Sequence, residues 1–123
     1  MHELTVAIQI RNALETELAS DDGTLIADVV RVQVGAMSGV VPEALQFAWP
    51  HAVADSTALG SARLDIARID VQLHCGTCRD VYVLTELRSL RCPNCRSPDV
   101  EVVAGDELDI TAVDIREPRR EAP

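Results

Sequence analysis

The stretch Cys75-Gly76-Thr77-Cys78, followed after residues 79–91 by Cys92-Pro93-Asn94-Cys95, decides how this chain of 123 residues is put together. It holds all 4 cysteines, arranged as two CxxC pairs. Each CxxC turn presents two sulfurs on the same side, and two such turns close a tetrahedral thiolate site. Zinc suits four thiolates because it has no redox chemistry and no d-electron preference for another geometry. Iron in a rubredoxin-like cage is the alternative that the same spacing allows. A site closed by four protein ligands has no open position for substrate or water, so its expected role is structural, not catalytic. A thioredoxin-like redox motif needs only one pair, at a helix start. Arg79 and Arg96 follow the two pairs, where glycine often relieves a positive φ. Such a φ costs each arginine up to about 1–2 kcal/mol, tolerable where metal bonds hold the turn.

Working outward, residues 4 to 20 read as a helix. Leu4, Ala7, Ile8, Leu14 and Leu18 recur at three- and four-residue offsets, and Val6, Ile10 and Ala13 widen the stripe. Ser20-Asp21-Asp22-Gly23 is a stop and turn. Thr24 to Val34 changes to period two, with Ile26, Val30, Val32 and Val34 on one face of a well-covered strand. After a loop at Gly35, Ser38 and Gly39, a second helix begins with Pro42 in its first turn and buries Leu45, Ala48, Trp49 and Ala52. Pro50 should kink or restart that helix, since it removes a hydrogen bond. Asp55 to Gly60 reads as loop.

Arg63 to Leu73 reads as one strand whose apolar phase changes between Leu64/Ile66 and Ile69/Val71/Leu73, which suggests a twist or bulge near Ala67-Arg68. A last strand runs from Glu107 to Ile115. The expected fold is α+β: a small mixed three-stranded sheet packed with two helices, carrying an inserted zinc-ribbon-like lobe. The lobe should hang from two neighbouring strands. The expected division is residues 1–73 with 105–116 for the α/β unit, 74–104 for the lobe, and a disordered tail at 117–123.

Composition narrows the function. The net charge is −9, from 11 basic and 20 acidic residues, and Phe47, Trp49 and Tyr82 are the only aromatics. Nucleic-acid binders need a basic footprint and stacking platforms that this chain lacks. No segment approaches the roughly 20 apolar residues of a membrane span. No basic-then-apolar leader precedes the first helix. Thiolates at metal spacing then point to a reducing cytoplasm. Nothing resembles a phosphate loop, a nucleophile elbow or a Ser/His/Asp arrangement, so an enzyme is not expected.

The second metal candidate is the N-terminus, Met1-His2-Glu3. An α-amine, a deprotonated backbone amide and an imidazole can wrap one square-planar ion, which suits Ni(II) or Cu(II) better than zinc. Glu3 can add an oxygen or orient the imidazole. On residue type alone, a histidine at position 2 is usually a solvated chain end. His74 reads either as a spare ligand beside Cys75 or as a partly exposed strand end. His51 has no evident partner in the sequence.

Met1-His2-Glu3-Leu4 opening a helix, the run from Val34 to Leu45 (VGAMSGVVPEAL), the two CxxC pairs and the Gly105-Asp106-Glu107-Leu108 return together resemble the HypA/HybF family of nickel metallochaperones. The resemblance extends to about Ile115. It implies nickel ligation by His2 with Met1 and Glu3, and zinc ligation by Cys75, Cys78, Cys92 and Cys95. It implies two partners, a nickel-handling GTPase of the HypB kind and the hydrogenase large-subunit precursor. Pro50, Arg79 and Arg96 depart from the family's usual residues. A zinc-ribbon protein adaptor without nickel, and a rubredoxin-like electron carrier, are the competing readings.

Overall fold

The computed structural model describes residues 2–20, 23–87 and 89–116. Met1, the centre of the expected turn at Asp21-Asp22 and the tail at 117–123 lie outside them. Helix α1 (Glu3–Leu18) leads through the short antiparallel pair β1 (Ala19–Ser20) and β2 (Gly23–Thr24) into β3 (Ile26–Gly35). Helix α2 (Pro42–Val53) and strand β4 (Arg63–Ile69) follow. Strands β5 (Val71–Cys75), β6 (Asp80–Leu84) and β7 (Val100–Ala104) carry the cysteine region, and β8 (Leu108–Arg116) closes the chain.

The principal sheet is mixed, in the order β4-β3-β8, with β3 parallel to β4 and antiparallel to β8. Both helices cover one face. Val6, Ala7, Ile10, Leu14 and Leu18 of α1 meet Leu45, Ala48, Trp49, Ala52 and Val53 of α2 over Ala27, Val30, Val32, Val34 and Leu64. Each large aliphatic side chain so buried contributes roughly 1.5–3 kcal/mol. The nearly aliphatic core accommodates one indole, and Trp49 satisfies its Nε1–H on the Ala62 carbonyl at 3.0 Å.

The α1 stripe is rotated from the expected one: Val6 and Ile10 are buried, whereas Leu4 and Ile8 are 39% and 38% exposed. On β3, a bulge between Ala27 and Val29 sends Ala27 to the core in place of Ile26. Helix α2 runs unbroken through Pro50. Pro50 removes only one donor, one turn from the helix end and on an exposed side, so the expected kink or restart does not develop.

The phase change between Leu64 and Leu73 marks a change of sheet, not a bulge at Ala67-Arg68. Asp70 separates β4, which belongs to the principal sheet, from β5, the centre of a second antiparallel sheet ordered β6-β5-β7. The strands that flank the cysteine region in the principal sheet are not neighbours either. β4 and β8 are its two outer strands, and β3 lies between them.

Three backbone hydrogen bonds fasten the end of β3 to both crossings between the sheets. Gly35 N–H donates to Glu107 O at 2.7 Å, Ala36 N–H to Ile69 O at 3.0 Å, and Met37 N–H to Gly105 O at 2.7 Å.

The face away from the helices is polar. Arg31 at its centre reaches Asp65 on β4 at 2.6 Å and Asp114 on β8 at 2.8 Å. These groups are exposed, so Arg31→Ala should lower the urea midpoint only slightly, and less still in high salt. A large, salt-independent loss in that experiment would mean the guanidinium stem packs as part of the structure.

Candidate metal centre

Two turns of nearly identical build bring the cysteines together. In the first, at the end of β5, the Cys78 amide donates to Cys75 Sγ at 3.3 Å and the Arg79 amide to Cys75 O at 2.8 Å. In the second, the Cys95 amide donates to Cys92 Sγ at 3.4 Å and the Arg96 amide to Cys92 O at 2.8 Å. Arg79 and Arg96 adopt φ of 58° and 66°, the left-handed conformation expected after each pair. Gly76 N–H donates to Asp99 O at 2.9 Å and Thr77 Oγ1 to Ser97 Oγ at 3.1 Å, which ties the two turns to one another.

The four sulfurs lie within 4.8 Å of one another. Cys75 Sγ is 3.6 Å from Cys95 Sγ, and Cys78 Sγ is 3.9 Å from Cys92 Sγ. A tetrahedral ion with bonds of about 2.3 Å to sulfur needs edges of about 3.8 Å. The donor set and its spacing therefore fit a four-thiolate zinc site. Cys75 and Cys92 are buried, Cys78 is half-buried and Cys95 is exposed.

The polar surroundings favour thiolate unequally. The Asn94 side-chain N–H, 3.5 Å from Cys78 Sγ, is the main reason the Cys78 thiol ionises below its ordinary value. Cys95 is pushed up to about 12: a backbone hydrogen bond at Ser97 pulls it down, but sharing protons with Cys78, Cys75 and Cys92 outweighs that. Four thiols in one cage cannot all ionise unless a cation joins them. Asn94 is a contributor that the sequence did not single out, although its place inside the second CxxC was a usable signal.

The N-terminal candidates are arranged differently. His2 is exposed, in extended conformation (φ −81°, ψ 117°), immediately before α1, and its side chain makes no capping hydrogen bond. Glu3 reaches across to the start of α2, where its Oε2 accepts from the Val41 amide at 3.4 Å. That carboxylate sits at a helix N-terminus, where negative charge is favoured. His2 and Glu3 border a groove between the helices whose far side includes Phe47 and His51. His74 lies half-buried on β5 between Val81 and Glu101 of the neighbouring strands. Successive side chains alternate faces along a strand, so it points away from the face that carries Cys75.

The family described as "Hydrogenase/urease nickel incorporation, metallochaperone, hypA" matches residues 1–115. The hydrogenase maturation factor HypA of Roseiflexus sp. (strain RS-1) is 36% identical over 122 residues, covering 99% of this chain and 98% of that protein. The protein of the same name from Chloroflexus aggregans is 36% identical over 114 residues, covering 93% and 98%. The solution structure of the Ni metallochaperone HypA from Helicobacter pylori superposes with a TM-score of 0.62 at 26% identity, covering 94% of this chain and 97% of that one. Among the described residues no helix is long and apolar enough to cross a membrane.

Proposed function

Since this chain belongs to the HypA family of metallochaperones for nickel incorporation, we propose that it binds Ni(II) at its N-terminus and delivers it for maturation of nickel–iron hydrogenase. Cys75, Cys78, Cys92 and Cys95 would hold a zinc ion, which would brace the lobe through four metal–thiolate bonds and leave no open position for catalysis. The observation that carries the nickel reading is the state of His2, exposed beside the first turn of α1 with its imidazole uncommitted to a cap.

A carrier must bind selectively and also release. The Met1 amine, the His2 amide and the His2 imidazole form a planar chelate that prefers Ni(II) over zinc by geometry. All three must lose or lack protons to bind, so affinity falls as the pH falls. Glu3 anchors the first turn of α1 to α2 through the Val41 amide. A docking partner that draws on Met1 or displaces Glu3 weakens the chelate at the moment of transfer. The partners in this reading are a nickel-handling GTPase of the HypB kind and the hydrogenase large-subunit precursor, met in the cytoplasm. Nucleic acid is not among them, given the charge of −9. The role is carriage, not catalysis.

The test is calorimetric titration of Ni(II) into tag-free protein with its native Met1, after bound zinc has been counted, beside His2→Ala. One zinc per chain is expected, with a nickel site near micromolar that His2→Ala weakens by about 2 kcal/mol, or roughly thirtyfold. A zinc-loaded protein whose nickel binding ignores His2 is an adaptor and not a carrier.

A further inference from the structure

The net charge of −9 is unevenly spread. Residues 74–104 hold four arginines (Arg79, Arg88, Arg91, Arg96) and four acids (Asp80, Glu86, Asp99, Glu101), so the charge falls entirely on the rest of the chain. The arginines are also used differently. Arg11, Arg31, Arg68 and Arg116 each hold a carboxylate of the α/β unit, with Arg63 the exception there. In the lobe, Arg79, Arg91 and Arg96 are exposed and pair with no carboxylate among the described residues. Arg96 stands there against its backbone preference, since a φ of 66° suits glycine better. A side chain kept at such a cost points to a use for it.

Arg91 and Arg96 flank the second cysteine turn and line a groove that runs from it to the end of β6. Val83, Leu84 and Pro93 supply its apolar lining, and its one carboxylate, Glu86, is outnumbered by the two guanidiniums. Arg91 Nη1 donates to Arg96 O at 3.3 Å, which fixes the Arg91 fork beside the turn and leaves its other N–H groups for a ligand. At about 400 Å³, the groove lies within the roughly 300–1,000 Å³ of pockets that enclose ligands. It has room for a side chain or two and not for a helix.

A carboxylate is the anion whose planar, two-oxygen geometry matches the guanidinium fork. The apolar lining asks for an apolar side chain beside it. A second copy of the chain would bring its own −9 to the contact, whereas a thin segment meets only the neutral lobe.

We propose that the Arg91–Arg96 groove is a docking site for an extended acidic segment of a partner protein. The two guanidiniums grip one Asp or Glu carboxylate, and a neighbouring apolar side chain of the segment sets against Val83 and Pro93. The proposal is independent of the nickel reading. It gives a lobe closed to catalysis a part in holding a partner, with the spacing of the two arginines set by the cysteine turn between them.

The experiment titrates zinc-loaded full chain into a pool of capped fluorescent peptides that alternate Asp or Glu with Leu or Val, beside the same peptides carrying Asn and Gln. Fluorescence anisotropy should show saturable binding of the acidic pool alone, weakening as salt is raised. Arg91→Gln and Arg96→Gln should each weaken it by roughly tenfold or more, the loss of a hydrogen bond to a charged group. Arg96→Gly should lose as much binding while its urea midpoint does not fall, which a purely structural role for this side chain would not allow. Arg79→Gln is the control, because Arg79 holds the same place in the first turn at φ 58° but does not line the groove. It should bind the acidic pool as wild type does. Unchanged zinc content shows that the variants keep the cage. No binding of the acidic pool, equal binding of both pools, or an equal loss in Arg79→Gln overturns the proposal. Self-association in sedimentation that Arg96→Gln abolishes, with no peptide bound, gives the groove to a second copy and overturns it as well.

Discussion

Cys75→Ser is expected to strip zinc from the protein and unfold the β5–β7 region, while the helices and the β4-β3-β8 sheet keep their structure. The lobe has little else to hold it. Val71, Leu73, Cys75 and Cys92 are its buried apolar residues, whereas Val81, Val83, Leu87, Leu90 and Val103 are all exposed. The residues that build the core between the helices and the principal sheet include none of the lobe's. Units below about 40 residues seldom fold without a metal, a disulfide or a partner. A structural zinc in such a unit is worth an apparent 10–16 kcal/mol or so near neutral pH.

Serine removes the buried Cys75 sulfur, which faces Cys95 Sγ at 3.6 Å. It also removes the sulfur that accepts the Cys78 amide. Zinc content by elemental analysis should fall well below one per chain. Amide NMR signals from residues 71–104 should collapse to narrow dispersion while those of α1, α2 and β3 stay put. Dispersed lobe signals in zinc-free protein would show that the sheet folds without the ion.

The cysteine cluster was the most legible part of the sequence, because two CxxC turns specify their own local backbone. The hydrogen bonds of each knuckle run within five residues, and even the positive φ of Arg79 and Arg96 follows from the spacing. The faces of α2 were legible for the same local reason, since Leu45, Ala48, Trp49 and Ala52 carry the helical period without interruption. What the pattern hid was long-range. The switch of apolar phase between Ile66 and Ile69 looked like a bulge because alternation cannot tell a twisted strand from one that leaves its sheet at Asp70. The placement of β3 between β4 and β8 came from no local signal. It reflects the parallel β3–β4 pairing that the α2 crossover makes. Glu3 and His51 are tertiary in the same sense: their neighbours are Val41 and the His2 groove, contributed by distant parts of the chain.

Gly105→Ala should destabilise the whole protein by about 3–5 kcal/mol, combining backbone strain with overpacking against main chain. Gly105 sits between β7 and β8 at φ 111°, a conformation that side-chain-bearing residues rarely adopt. A Cβ there would lie 2.6 Å from Val71 Cα and 2.8 Å from Val71 Cγ2, and Val71 is fully buried. Relief by backbone movement is blocked, because Gly105 O accepts the Met37 amide at 2.7 Å and Gly105 N–H donates to Glu107 Oε1 at 2.7 Å. From the other side, a Cβ on Gly35 would meet Gly105 O at 2.2 Å, so the two glycines let the crossing pass the end of β3. Gly39→Ala is the control: its φ of 80° is also positive, but nothing lies within 4 Å of its Cβ position. It should lose only about 1–2 kcal/mol, the strain of a left-handed residue alone. Urea unfolding of the zinc-loaded proteins separates the two. Equal losses at Gly39 and Gly105 would mean that strain accounts for both and that the junction has room to give. A much larger loss at Gly105 would show that the two sheets are joined by close backbone packing as well as by covalent continuity.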